Sequence, residues 1–220
     1  MQPRAWRWTR KATCTAGKSV QGEWQNTSSS SNAIFLVQHT VKIRTANLSD
    51  IAGIARVHVE SWRTTYKGTI PEDFLAKLSY EQREHLWDQV LTDPNRSRFV
   101  YVAEDEPGKI VGFISGGPEP SGDILYTGEI DAIYLLASHQ GQGIGRRLVV
   151  SLASRLIEEN MTALLVWVLA TNPARKFYER LGGQLIYEKQ TSIGGASLIE
   201  VAYGWQNAHT LIEPVPPQSS

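Results

Sequence analysis

One stretch limits what this chain can fold into more than any other: Gly128 to Leu148, GEIDAIYLLASHQGQGIGRRL. GEIDAIYLL has the β-branched and aromatic content of a strand, and a helical pattern begins after the glycines. Gly141, Gly143 and Gly145 alternate with other residues in between. A strand, a bare turn and a helix start together make an anion corner. The first N–H groups of a helix lack intrahelical partners, and the helix dipole is positive there. Glycines let a phosphate approach that backbone closely, and Arg146 and Arg147 add charge beside it. Two common phosphate motifs do not fit. A P-loop requires a Lys after its second Gly, and none follows here. A dinucleotide fold requires G-x-G-x-x-G and an acid ending the next strand. This chain has G-x-G-x-G, and its next strand ends in LATN.

The rest of the chain supplies a matching set of elements. VKIRTA reads as a strand from Val41. Asn47 and Asp50 form a capping-box variant ahead of Ile51, Ile54, Ala55, His58 and Trp62, which recur at helical spacing. A second helical region runs from Pro71 to Leu91, broken near Ser79. RFVYVAE, IVGFISGG and GEIDAIYLL are three strands in series, and ALLVWVL is a short strand apolar enough to be buried on both faces. NPARKFYERLGG is a helix bounded by Asn172 and by Gly182 and Gly183. QLIYEKQT and SLIEVAYGW flank the hairpin turn SIGGA. The order β-α-α-β-β-β-α-β-α-β-β is that of a mixed α/β domain.

Composition removes several function classes. Formal net charge is zero over 220 residues. Five of the bases (Arg4, Arg7, Arg10, Lys11, Lys18) fall before Val41, so the remainder is net acidic and no nucleic-acid partner is expected. Cys14 is the single cysteine, and there is no H-E-x-x-H, so no metal is expected. No apolar run approaches the ~20 residues that span a bilayer, so no membrane partner is expected, and a cytoplasmic location follows. Residues 1–40 are Arg- and Ser-rich and low in apolar pattern; they read as an extension or a targeting segment outside the fold. The domain is expected over 41–206, with a Pro-rich tail over 207–220. A chain starting at Val41 should therefore melt with the full-length protein, and a large drop in its melting temperature would contradict this.

Gln140, Gly141, Gln142, Gly143, Ile144 and Gly145 resemble the Q/R-x-x-G-x-G/A motif of the GNAT superfamily of acyl-CoA-dependent N-acyltransferases. Asn172, Ala174 and Tyr178 in NPARKFY resemble that family's N-x-x-A-x-x-x-Y element, with one residue fewer between Asn and Ala, and FYERLGG resembles its F-Y-x-x-x-G-F ending, with Gly183 in place of Phe. The resemblance covers about Val41 to Trp205. It implies an α/β (α+β) fold: a mixed, mostly antiparallel central sheet, helices on both faces, splayed between the strands at about 129–136 and 163–169. It also implies acetyl-CoA as co-substrate. Coenzyme A would lie against Ile133, Leu135, Leu136, the loop from Gln140 to Gly145, Arg146, Asn172, Ala174, Arg175 and Tyr178. A backbone N–H near Leu135 and Leu136 would polarise the acyl carbonyl.

The same resemblance makes Tyr178 the acid that protonates the leaving thiolate. An aliphatic ammonium has a pKa near 10, so the attacking amine gains from a base. Glu129 stands where protein-lysine acetyltransferases of the superfamily carry theirs, and Asp131 is the second candidate, on the same strand face. Trp62 and Tyr66 share a helix face with His58 and could wall an acceptor pocket. The implied activity is acetyl transfer to a primary amine: a small molecule, an amino acid or a peptide N-terminus. A regulatory acyl-CoA sensor without turnover is the alternative, against which the presence of both Glu129 and Tyr178 argues. A homodimer is compatible with the sequence.

Overall fold

The computed structural model describes residues 41–213 except Arg96 and Pro107. The expectations for residues 1–40 and for the tail beyond Glu213 lie outside the described residues. Seven strands form one sheet in the order β1-β2-β3-β4-β5-β7-β6. They are β1 (Lys42–Thr45), β2 (Phe99–Glu104), β3 (Ile110–Pro118), β4 (Gly128–Leu135), β5 (Leu164–Leu169), β6 (Gln184–Ile193) and β7 (Ala196–Trp205). Every neighbouring pair is antiparallel except β4 and β5. The helices are α1 (Ile51–Thr65), α2 (Glu72–Ala76), α3 (Tyr80–Thr92), α4 (Ile144–Glu158), α5 (Arg175–Arg180) and α6 (His209–Ile212).

Two apolar layers, one per face, hold the sheet. Leu148, Leu152 and Leu156 recur along α4 and pack with Ile130, Ile133, Val166 and Val168. On the other face Ile54, Val57 and Trp62 of α1 and Trp87 of α3 pack with Phe113 and Tyr134. α6 lies past the expected domain end at residue 206, because Ala208 and Leu211 are buried in the α4 layer.

The entry into α1 is fixed by the expected capping box. Asn47 Oδ1 accepts from the Ser49 N–H at 2.9 Å, and the Asn47 N–H donates to Asp50 Oδ2 at 2.8 Å. Asp50 also takes a two-pronged contact from Arg44, at 2.6 and 2.8 Å. Burial pushes the Asp50 carboxyl up, but the bonds from Arg44 and the Asn47 N–H outweigh it and leave the group below its ordinary value. Asp50→Ala should therefore cost about 2 kcal/mol, from the lost cap and the lost two-pronged contact to Arg44, which keeps its bond to Glu104. A urea titration reads this as a lower midpoint at unchanged slope.

His58 sits on the apolar face of α1, stacked on Tyr134 at 5.0 Å, with its Nδ1 accepting from Trp87 Nε1–H at 3.3 Å. Burial, and then the Arg83 charge, hold its pKa well below the ordinary 6.5. The unfolded chain takes up a proton below about pH 6.5 that the folded ring refuses, so stability should fall as pH drops through that range. The urea midpoint should fall between pH 7.5 and 5.5, and less steeply in His58→Gln, which has no charge to gain.

Candidate active site

β4 and β5 are paired only from Gly128–Ile130 to Leu164–Val166. Beyond that the two strands part, opening a slot between Asp131–Leu135 and Trp167–Leu169. This is the expected splay, and a bulge starts it. Ser115 faces Ala132 and Gly116 faces Ile130, so Asp131 is the extra residue. Glycines let the neighbouring backbone come close there. A Cβ at Gly116 would stand 2.5 Å from the Glu129 carbonyl oxygen, and one at Gly117 would stand 2.2 Å from that of Ser97. Arg98 then pins the bulge. Its Nε lies 2.9 Å from Asp131 Oδ2, and its Nη1 donates to the Pro118 carbonyl at 2.9 Å.

Register decides which β4 groups face the slot. The Leu136 N–H donates to the Val111 carbonyl at 2.9 Å. Antiparallel pairs alternate, so the N–H groups of Tyr134 and Leu136 point at β3 while those of Ile133 and Leu135 point into the opening. Leu136 is thereby corrected as a source of the polarising N–H; Ile133 and Leu135 have the right direction. The Leu135 carbonyl accepts from Gln140 Nε2 at 2.9 Å, which ties the glycine loop to the strand end.

The loop itself has the expected corner. Gly141 and Gly143 both have φ of +75°, the left-handed region, and a Cβ on either would meet open space. Gly143 caps α4, and Ile144 anchors the helix start in the core. Gly145 packs on Phe177. Gln142 lies over the loop, its Nε2 donating to the Ser138 carbonyl at 3.0 Å. Arg146 is turned aside, with Nη2 donating to the Glu213 carbonyl at 2.7 Å. Arg175 is likewise engaged: Nε donates to Tyr203 Oη at 2.9 Å and Nη1 to the Ala170 carbonyl at 3.1 Å. Asn172 does not cap α5 as expected: the helix runs from Arg175 with Ala174 as its N-cap, and Asn172 Oδ1 accepts from the N–H of the buried Ala174 at 2.8 Å, shaping the turn that precedes it.

Tyr178 comes to the slot from the α4 face, buried beside Tyr203 and Trp205. Tyr66 comes from the α1 face, its phenol pushed well above its ordinary value by burial first, then by Tyr134, Tyr178 and Glu200. Trp62 stands one layer behind, its Nε1–H spent on Tyr134 Oη at 2.9 Å. Arg83 of α3 lies 5.9 Å from the Trp62 ring, its pKa pushed down to about 10 by burial.

Glu129 is 2% exposed and stands opposite Leu165, whose side chain joins Trp167 and Tyr126 on the α1 side of the sheet. Asp131 is the residue held by Arg98, so the two candidate bases differ: one lines the sheet at the start of the slot, the other is ion-paired. Three further residues belong here that carry no motif. Lys189 of β6 and Glu200 of β7 are direct partners in register, 3.2 Å apart, and the Lys189 Nζ lies 3.5 Å from the centre of the Trp167 ring. A lone carboxylate amid SLIEVAYGW is the one sequence signal that could have found this group.

A mostly antiparallel sheet that opens between two parallel central strands, with a glycine turn and a helix start at the mouth of the opening, is the architecture expected of an acyl-CoA-dependent acyltransferase. Residues 56–183 match the Acetyltransferase (GNAT) family, and the chain belongs to it, as an N-acetyltransferase. It is 41% identical over 172 residues to YuaI, an uncharacterized N-acetyltransferase of Bacillus subtilis (strain 168), covering 78% of this chain and 96% of that protein. The fold is similar to that of an N-acetyltransferase from Staphylococcus aureus Mu50, with TM-score 0.62 and 21% identity over 77% of this chain and 99% of the other. It is similar also to PaiA N-acetyltransferase from Thermoplasma acidophilum in complex with coenzyme A, with TM-score 0.55 and 19% identity over 74% of this chain and 98% of the other. Among the described residues no helix is long and apolar enough to cross a membrane.

Proposed function

We propose that this chain transfers the acetyl group of acetyl-CoA to a primary amine by direct attack within a ternary complex. The observation that carries the reading is the slot, with Glu129 at its start on one face of the sheet and Tyr178 on the other. Pantetheine would run along β4, against the inward-facing backbone of Ile133 and Leu135. The pyrophosphate would meet the N–H groups of Gly143, Ile144 and Gly145 at the positive end of α4. PaiA's complex with coenzyme A supports that donor.

The amine nitrogen attacks the thioester carbonyl carbon, and its proton passes to Glu129, directly or through water. An N–H of Ile133 or Leu135 stabilises the charge that builds on the carbonyl oxygen. The C–S bond then breaks, and the CoA thiolate takes a proton from Tyr178. The products are an N-acetyl amide and free CoA. Asp131, ion-paired to Arg98, serves by holding the bulge, and Tyr66 walls the acceptor side. Initial rates of thiol release over a panel of amines test the reading: release that depends on both acetyl-CoA and amine supports it, and none with any amine contradicts it.

Gly143→Val should weaken CoA binding at least tenfold. A β-branched residue at φ +75° costs roughly 1–3 kcal/mol and puts a side chain where phosphate approaches. Calorimetry checks this; equal affinity would remove the loop from the site.

A further inference from the structure

The acceptor side of the site holds a donor that the transfer chemistry does not use. Trp167 is the first β5 residue past the last position paired with β4, so it stands at the apex of the slot. It is 8% exposed, and its Nε1–H is buried with no hydrogen-bond partner among the described residues. A buried indole N–H without a partner is a standing cost that demands an explanation, and a bound ligand is one that would satisfy it.

The ring is also held in place. The Lys189 ammonium covers its face at 3.5 Å and is itself fixed by Glu200 at 3.2 Å. Tyr187 lies near-parallel to it at 6.3 Å. With that face covered, the N–H edge carries the ring's unused donor. Glu129 pairs with Leu165, two residues before Trp167 on the same face of the sheet. That spacing is roughly 6–7 Å along the strand. A small molecule with an amine at Glu129 and a carbonyl oxygen beside that amine spans it.

We propose that Trp167 is a specificity-determining residue whose indole N–H selects acceptors carrying a carbonyl or carboxylate oxygen next to the amine, the chemistry of an α-amino acid or a peptide N-terminus. This rests on the acetyl-transfer reading above. Lys189 and Glu200 act through the ring as positioning residues: one covers its face, the other holds the ammonium there. Together with Glu129 they leave this wall with one excess negative charge when all three are ionised, which suits an acceptor arriving as an ammonium.

The test compares matched acceptors on the full chain. Each α-amino acid, its amide and a dipeptide beginning with it is paired with the simple amine that lacks the carbonyl group. The unsubstituted protein should prefer the carbonyl-bearing member at least tenfold in kcat/KM, and Trp167→Phe should erase most of that preference by raising KM. The free acid and the dipeptide distinguish the two sources of the same chemistry. A second arm needs no variant. With indole-¹⁵N tryptophan and CoA bound, glycinamide should shift one indole N–H resonance downfield, and ethylamine should not. Turnover with equal use of both members of each pair, or a preference unchanged in Trp167→Phe, overturns the inference and leaves acetyl transfer standing. Absence of turnover with every amine overturns both.

Discussion

Glu129→Gln is expected to lower kcat/KM for the amine by about 100- to 1000-fold near neutral pH, the lower part of the range of about 10²- to 10⁴-fold that a positioned base contributes. The side chain is nearly isosteric, so the fold should be retained even at this buried site. The deficit should depend on pH in one direction. With an ammonium pKa near 10, the free amine falls tenfold for each unit below that value. The variant depends on that free fraction alone, whereas the intact enzyme removes the proton within the complex. The gap therefore widens as pH falls from 9.5 to 6.5 and narrows as it rises. Parallel profiles at all pH values would take the base role from Glu129. Asp131→Asn should behave differently. It loosens the grip of Arg98 on the bulge, so it should act on the slot's geometry and keep the pH profile's shape.

Tyr178→Phe is expected to reduce kcat roughly 10- to 100-fold while leaving CoA affinity within about twofold. One hydroxyl is removed from a ring that keeps its packing against Tyr203 and Trp205. The effect is smaller than for Glu129 because a thiolate leaves readily even without a proton donor. The residual rate should recover when the thiol of the donor is more acidic, since the leaving group then needs the proton less. Paired measurement of kcat with two acetyl thioesters and of CoA affinity by calorimetry checks both parts. Loss of CoA affinity in step with kcat would instead make Tyr178 a binding group.

What could be read from the sequence follows how local each feature is. The Asn47–Asp50 cap and the left-handed glycines of the loop each depend on residues within one turn, and each formed as expected, whereas α5 starts at Arg175, two residues later than an Asn172 cap would place it. The splay was legible through the family resemblance, and its physical cause is a short parallel pairing between two strands whose other partners are antiparallel. Register was not legible. Which N–H groups of β4 face the slot depends on the partner atoms in β3, so Leu136 could not be separated from Leu135 beforehand. Arg146 and Arg175 look like phosphate ligands from their places beside the motifs, but one bonds to the chain after α6 and the other to Tyr203. The Trp167, Lys189 and Glu200 cluster was hidden for a topological reason. β7 inserts between β5 and β6, bringing together three strands whose residues share no motif.

The direct mechanism and a covalent one differ in a single mass. A covalent route requires an activated nucleophile, and neither a G-x-S-x-G elbow nor a second cysteine beside Cys14 is present in the sequence. Intact-protein mass spectrometry after mixing the full chain with acetyl-CoA, before and after adding amine, separates the two routes. Direct transfer leaves the protein mass unchanged at both times and puts the acetyl group on the amine. A protein adduct of acetyl mass that is chased off when amine is added would contradict it.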